Sequence, residues 1–136
     1  MKIHQQNYQG FTLIEVLIAI AILAILVSMA IPNFSQYLMS ARRVDAQHVL
    51  LNNAQRLVRC FTLAGSYNGS CTLKTVSQDG YYSASAVLTE LTYQLTATPT
   101  TNSTQSSDSE CQTFTLDDAG ATGAKNAADA SAENCW

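Results

Sequence analysis

One acidic side chain lies inside a long apolar segment and is the first candidate for chemistry in this chain. Between Phe11 and Ile31 every residue is apolar or small except Thr12, Glu15 and Ser28. At ~1.5 Å of rise per residue this segment forms a helix of roughly 30 Å, which is enough to cross the hydrocarbon core of a bilayer. An ionised carboxylate in lipid costs a few kcal/mol, so Glu15 is interpreted as functional and needs a positively charged partner.

The residues before the apolar segment offer such a partner. Residues 1–10 are short and polar, with Lys2 as the one formal positive charge. An ordinary secretory signal is cleaved after its apolar region, whereas the clearest small-residue site here is Gly10, before that region. Cleavage after Gly10 would create a positive α-amine on Phe11, four residues from Glu15.

The cysteines predict two disulfides in the part of the chain that follows the span. None of the four belongs to a C-x-x-C pair, and His4 and His48 are far from them in sequence, so no metal site is predicted. Disulfides indicate an oxidising compartment. Three pairings are possible. Pairing of cysteines that are neighbours in sequence closes the shortest loops, and each loop would stabilise the fold by about 3 kcal/mol. The residues concerned are Cys60, Cys71, Cys111 and Cys135.

Basic residues are the candidates for nucleic-acid binding, because Lys and Arg neutralise phosphates. The net charge of −3 argues against a strong non-specific field. The alternative is that the arginines solvate a helix face or pair with acids of neighbouring subunits. The candidates are Arg42, Arg43, Arg56, Arg59, Lys74 and Lys125.

Catalysis is not predicted. After Gly10 the only histidine is His48, and the sequence has no G-x-S-x-G motif and no glycine-rich phosphate-binding loop. The adjacent Asp117 and Asp118 are typical of a turn rather than of a calcium site. We therefore expect a protein that is not an enzyme and needs no cofactor.

The helix that must position these residues is predicted from about 11 to 63. Pro32 is expected to kink or locally melt it, and Gly65 is a suitable stop signal. Beyond Pro32, apolar residues recur at steps of three and four and predict the face that packs on the rest of the domain, with His48 on that face. This predicted face consists of Phe34, Tyr37, Ala41, Val44, His48, Leu51, Ala54, Val58 and Phe61.

The remainder of the chain alternates apolar and polar residues with the period of a β-strand. Three runs, at 81–88, 92–98 and 111–116, predict a small antiparallel sheet with one face against the helix, and 121–125 is a possible edge strand. With the first segment in the membrane, there is room for only one globular domain of about 100 residues. The predicted fold class is therefore α+β.

The N-terminal pattern resembles that of type IV prepilins. The resemblance lies in Gly10, the run Phe11-Thr12-Leu13-Ile14-Glu15, the apolar segment, and Ala30-Ile31-Pro32. It implies the type IV pilin fold, with a C-terminal loop bounded by a disulfide between Cys111 and Cys135. It also implies a leader, residues 1–10, cleaved after Gly10 by a prepilin peptidase that N-methylates Phe11. In the filament Glu15 would then neutralise the Phe11 amine of a neighbouring subunit, and the helix near Pro32 would unwind or kink.

The same resemblance implies an organisation and a function. Residues 11–32 would form the transmembrane and filament-core helix, and residues 33–136 a periplasmic or extracellular domain. The subunit would wait in the inner membrane of a Gram-negative bacterium. An assembly platform would then add it to other pilin subunits in an extracellular filament for adhesion to a host surface, twitching motility or DNA uptake. The alternatives are a minor pilin that is a DNA receptor in natural transformation, and a type II secretion pseudopilin.

Overall fold

A long helix and a four-stranded antiparallel sheet form the protein. The computed structural model describes residues 10–136, with the backbone alone at positions 30, 32 and 33. The predicted leader therefore lies mostly outside the described residues. The elements are the helix α1 (Leu13–Ala64) and the strands β1 (Tyr82–Leu88), β2 (Tyr93–Pro99), β3 (Thr113–Asp117) and β4 (Thr122–Lys125).

Local hydrogen bonds define both ends of α1. The Thr12 hydroxyl accepts a hydrogen bond from the Glu15 N–H at 3.3 Å, as an N-cap does. At the other end Gly65 has φ +71°, a left-handed conformation that suits glycine, and its N–H donates to the Phe61 carbonyl at 2.7 Å. The helix assignment continues through position 32 without a break, and a kink at Pro32 stays a prediction.

The chain divides into two compact units, residues 1–36 and residues 37–136. In the described part of the first unit, helical side chains between Leu13 and Ile31 are exposed and overwhelmingly apolar. By length and composition α1 contains a segment able to cross a membrane. This segment must therefore find lipid or other protein surfaces to cover it.

The buried face of α1 in the second unit differs from the predicted one. The side chains that enter the core are Asp45, Ala46, Val49, Leu50, Asn53 and Leu57. Most of the predicted face points to solvent instead: Phe34, Tyr37, Ala41, Val44, His48, Leu51 and Val58 are exposed, and Ala54 and Phe61 are half-buried. The prediction that His48 lies on the packed face was wrong.

The reason for this error is that the helix carries apolar residues on two faces. Asp45 and Asn53 are polar residues on the buried face, so the sequence pattern favours exposure of that face. In the fold both of these polar side chains are hydrogen-bonded, and a hydrogen-bonded polar group can be buried at low cost. Leu50 and Leu57 beside them are completely buried and belong to the core.

The sheet has the strand order β1-β2-β3-β4, and each strand is antiparallel to its neighbours. Its register sets Leu95 opposite Leu116 and Ala97 opposite Phe114. The alternation predicted for the first three strands is confirmed, because the inward residues are buried or half-buried. Those residues are Tyr82, Ala84, Ala86, Leu88, Tyr93, Leu95, Ala97, Phe114 and Leu116.

Three anchors tie the segment after α1 back along the helix. Cys60 is disulfide-bonded to Cys71, with Cα atoms 6.0 Å apart. The Asn53 side chain donates to the Lys74 carbonyl and accepts from the Lys74 N–H, both at 2.8 Å. Nearer the start of the domain, the Asp45 carboxylate accepts hydrogen bonds from the Ser77 hydroxyl and the Asp79 N–H.

The C-terminal segment is fixed by a second disulfide and by its last side chain. Cys111 is bonded to Cys135, as the resemblance implied, with Cα atoms 5.8 Å apart. The Trp136 indole N–H donates to the Gly123 carbonyl at 2.7 Å, and the indole ring makes an edge contact with Phe114. Residues 112–134 therefore form a closed loop that includes β3 and β4.

An ion pair joins α1 to the loop between β2 and β3. The Arg43 guanidinium donates to both carboxylate oxygens of Asp108, at 2.7 and 2.9 Å, and to Glu110 at 3.1 Å. Asp108 is buried and also accepts the N–H groups of Glu110 and Cys111. The hydrogen bond to Asp108 is the main cause of a raised Arg43 pKa, which burial partly opposes. Arg43 therefore remains charged and compensates a buried carboxylate.

The helix-face assignment predicts that two leucine substitutions lower the free energy of unfolding by different amounts. Leu57→Ala should lower the free energy of unfolding by roughly 3 kcal/mol, since Leu57 is completely buried. Leu51→Ala should cost less than about 1 kcal/mol, because Leu51 is 47% exposed. Urea denaturation followed by circular dichroism measures both. Equal losses in the two variants would contradict the assignment.

The ion pairs Arg43–Asp108 and Lys125–Asp129 should differ in how much they stabilise the domain. Arg43→Gln is expected to destabilise the domain by about 3 kcal/mol, because it leaves the buried Asp108 carboxylate without its cation. Lys125→Gln removes an exposed pair with Asp129 and should cost about 1 kcal/mol or less. The same denaturation experiment compares them, and a stable Arg43→Gln variant would show that the Arg43 pair is dispensable for folding.

Candidate assembly helix and nucleic-acid interface

The residues proposed for processing and assembly lie at the start of the described chain. Gly10 and Phe11 precede α1 and are exposed. Glu15 occupies the first turn of α1, where a carboxylate also interacts favourably with the helix dipole. Among residues 10–136 no cation or hydrogen-bond donor contacts the Glu15 carboxylate, so a partner from another chain, as the resemblance implies, would find it accessible.

Two of the six candidate basic residues have acidic partners within the fold. Arg43 is engaged by Asp108 and Glu110. The Lys125 ammonium lies 2.8 Å from the Asp129 carboxylate, and both side chains are substantially exposed. Arg43 is therefore a structural residue, whereas Lys125 has its charge reduced by an adjacent acid.

Arg42 contacts the sheet rather than an acid. Its guanidinium lies 4.6 Å from the centre of the Tyr81 ring, a cation–π arrangement, and it donates to the Thr104 hydroxyl. Arg42 thus keeps its charge near the surface, but its position is fixed by Tyr81, just before β1, and by Thr104 in the β2–β3 loop.

Arg56, Arg59 and Lys74 are the cations that the fold brings together without a neighbouring acid. Arg56 donates to the Asn52 side chain at 2.9 Å, and Lys74 projects from the segment that Asn53 holds against the same stretch of α1. Arg56 and Arg59 line one depression with the Cys60–Cys71 disulfide. Within the described chain none of these three forms a salt bridge.

The charge of the globular unit is strongly segregated along the sequence. Residues 46–78 contain Arg56, Arg59 and Lys74 and no Asp or Glu, a formal charge of +3. Residues 79–136 contain eight acids and Lys125, a formal charge of −7. The negative total therefore conceals a positive flank along the second half of α1.

Sequence reasoning missed the buried polar residues that hold the segments of the domain together. None of Asp45, Asn53, Gln105 and Asp108 is among the residues that the sequence pattern singled out. Gln105 donates to the Tyr82 hydroxyl at 2.8 Å and to the Met39 carbonyl at 3.1 Å. Burial is the main cause of the raised Tyr82 pKa, and the Gln105 hydrogen bond partly opposes it. No sequence signal marks these residues, because each depends on a partner distant in sequence.

No metal chemistry emerges from the described residues. Among residues 10–136 no three His, Cys, Asp or Glu side chains are grouped so that they could hold a metal ion. All four cysteines are in disulfides. The described surface carries two other features, the uncovered apolar segment of α1 and the positive flank.

Comparisons with known proteins match two stretches of this chain to two families. Residues 32–115 match the family described as type IV minor pilin ComP, DNA uptake sequence receptor. Residues 5–31 match the prokaryotic N-terminal methylation motif. A search of curated protein sequences finds no match.

Two solved structures are similar over the globular unit. A type IV pilin from Shewanella oneidensis is 32% identical with a TM-score of 0.52, covering 72% of this chain and 97% of that one. The non-core minor pilin PilV of Neisseria meningitidis shares the fold at 21% identity and a TM-score of 0.59, covering 71% of this chain and 96% of its own.

The resemblance to type IV pilins is confirmed by the methylation motif and by the similarity to the solved Shewanella pilin. The predicted fold is confirmed by the long helix, the antiparallel sheet and the C-terminal disulfide. Because the ComP match covers more than half of the chain, this protein belongs to the ComP family of type IV minor pilins.

Proposed function

We propose that this protein is a minor subunit of a type IV pilus that receives DNA for uptake. The two leading sequence-based hypotheses, pilus subunit and DNA receptor, then describe one molecule. The observation that carries the DNA-binding half is the positive flank formed by Arg56 and Arg59 on α1 and by Lys74, which Asn53 holds beside α1, in an otherwise acidic domain. The family description supports the same function, since it names a DNA uptake sequence receptor.

The route to the filament follows from the N-terminal segment. A prepilin peptidase cleaves after Gly10 and methylates Phe11, and residues 11–32 then hold the subunit in the inner membrane with the domain of residues 33–136 in the periplasm. The assembly platform transfers the subunit into an extracellular filament. The methylation-motif match and the accessible Glu15 carboxylate support this route.

A second exposed surface supports assembly with other pilins. Tyr37, Val44, Leu51 and Val58 recur at every seventh position of α1 and are each at least 47% exposed. Such a stripe follows one side of a helix and suits packing against another helix. Apolar contacts along α1, together with the uncovered segment before it, would replace lipid contacts in the filament core.

The alternative of a type II secretion pseudopilin has less support. The ComP match points to a pilus subunit, and the Cys111–Cys135 disulfide resembles the C-terminal bridge expected of pilins.

Assembly should depend on the charge of Glu15. Glu15→Ala is expected to leave the protein in the membrane fraction but to abolish or strongly reduce its presence in sheared pili, because the neighbouring Phe11 amine would lose its counter-charge. Ser28→Ala is the matched control, since Ser28 lies in the same apolar segment and is uncharged, and its hydroxyl donates to the Ile25 carbonyl within the same helix. Immunoblots of membrane and pilus fractions measure both variants. Normal incorporation of Glu15→Ala would disprove the pairing.

DNA binding should be direct and sensitive to salt. The mature protein in detergent micelles is expected to raise the fluorescence anisotropy of a labelled DNA duplex, with an affinity that falls as salt rises because phosphate contacts release counterions. Absence of binding at low salt would rule out the receptor function.

A further inference from the structure

The turn that follows α1 contains the chain's one Asn-Gly pair. Asn68 and Gly69 lie between Gly65 and Cys71, and both residues are exposed. An asparagine side chain carries an electrophilic amide carbon. Glycine has no Cβ, so its backbone nitrogen can approach the side chain of the preceding residue with little steric hindrance. The pair is therefore a candidate site for intramolecular deamidation.

Both reacting groups of this pair are available. Among residues 10–136 no acceptor is hydrogen-bonded to the Gly69 N–H, and neither a donor nor an acceptor is hydrogen-bonded to the Asn68 side chain. The Asn68 backbone N–H donates to the Ser66 hydroxyl at 3.2 Å, and the Gly69 carbonyl accepts from the Cys71 N–H at 2.8 Å. These bonds hold the turn without engaging the groups that react.

The other asparagines of residues 37–136 lack this combination. The backbone N–H after Asn102 donates to the Thr100 carbonyl at 3.0 Å, and the N–H after Asn126 donates to the Ser109 carbonyl at 3.1 Å. In each case the nitrogen that would attack is already engaged. The remaining asparagines lie within α1 or precede a buried cysteine: Asn52, Asn53 and Asn134.

From this geometry we infer that Asn68 deamidates spontaneously in the folded protein. The Gly69 nitrogen forms a bond to the side-chain amide carbon of Asn68. The bond from that carbon to the side-chain nitrogen breaks, and this nitrogen takes up the Gly69 proton and leaves as ammonia. One water molecule then opens either carbon–nitrogen bond of the cyclic imide, which gives aspartate or isoaspartate at position 68. The new carboxyl group is ionised at neutral pH.

The reaction changes both the charge and the backbone of the turn. Residues 46–78 contain no Asp or Glu, so one carboxylate lowers their formal charge from +3 to +2. Isoaspartate also adds one atom to the main chain between two fixed points. Before it, the Tyr67 N–H donates to the Glu90 carbonyl at 3.1 Å, and after it Cys71 is bonded to Cys60. Ageing protein should therefore accumulate a more acidic form with an altered turn.

Peptide mapping of the full mature chain in detergent micelles tests the inference. The protein is incubated in mildly alkaline buffer made with heavy-oxygen water and is then digested with trypsin in ordinary water. Residues 60–74, which contain Asn68, should be released as one peptide. This peptide should separate into two products of equal mass, each with one heavy oxygen. Heavy oxygen distinguishes conversion in the folded protein from conversion during digestion.

Gly69→Ala is the variant that tests the role of the glycine, because the fold can accommodate it. Gly69 lies outside the left-handed region, and an added Cβ would make only ordinary contacts, at 3.8 Å, with the Ala64 side chain and the Ser66 carbonyl. The Cβ hinders the approach of the nitrogen, so conversion should slow by about tenfold. Ser70→Ala is the matched control and should leave the rate unchanged.

Four results would each overturn the inference. They are the persistence of Asn68 in the folded protein, conversion at Asn102 or Asn126 as fast as at Asn68, an unchanged rate in Gly69→Ala, and conversion that occurs only after unfolding in urea. Circular dichroism and the absence of free thiols check that each variant is folded.

Discussion

The helix α1 combines an apolar first half that needs lipid or other protein surfaces with a second half that packs into the core of the domain. The rest of the structure depends on this constraint. Its first half is apolar and uncovered by the chain's own residues, so it requires lipid or other helices. In its second half one face enters the core through Leu50 and Leu57, while the opposite face stays outside with Val44 and Leu51 exposed. The sheet covers only one side of this half of the helix, and the other side stays exposed.

A domain of this size buries limited apolar surface, so covalent and polar anchors supplement the core. The disulfides close the two segments that have little else to pack: the stretch after α1 and the C-terminal tail. Asp45, Asn53 and Asp108 then act as buried hydrogen-bonding centres, bonded to Ser77, Lys74 and Arg43 respectively, each of them distant in sequence. These anchors give the positive flank a fixed geometry, because Lys74 is located by them and not by a strand or helix of its own.

Charge segregation reconciles an acidic protein with a proposed anionic ligand. The formal net charge of −3 describes the whole chain. A phosphate, however, interacts mainly with charges closer than the Debye length, about 10 Å at 0.1 M salt. The acids collect from Asp79 onward, where Asp108 and Asp129 are paired with Arg43 and Lys125. The cations of residues 46–78 have no such partners, so the flank can attract DNA although the total charge does not.

The sequence alone determined the features that depend on local order along the chain. The apolar segment with Glu15, the Gly10–Phe11 junction, the strand alternation that buries Tyr93 and Leu95, and the family resemblance were all readable, because periodicity and junction motifs need no distant partner. The bounds of α1 were also predicted to within two residues: the helix spans 13–64, and the prediction was 11–63.

Only the tertiary structure decided which face of α1 is buried, which cysteines pair, and which cations remain available. Both helix faces carry apolar residues at helical spacing, so periodicity could not choose between Leu57 and Leu51. The choice depends on hydrogen bonds from Asn53 to Lys74 and from Ser77 to Asp45, between residues 21 and 32 positions apart. Likewise, nothing in the local sequence separates Arg43 from Arg56, and only the position of Asp108, 65 residues away, shows that Arg43 is paired within the fold.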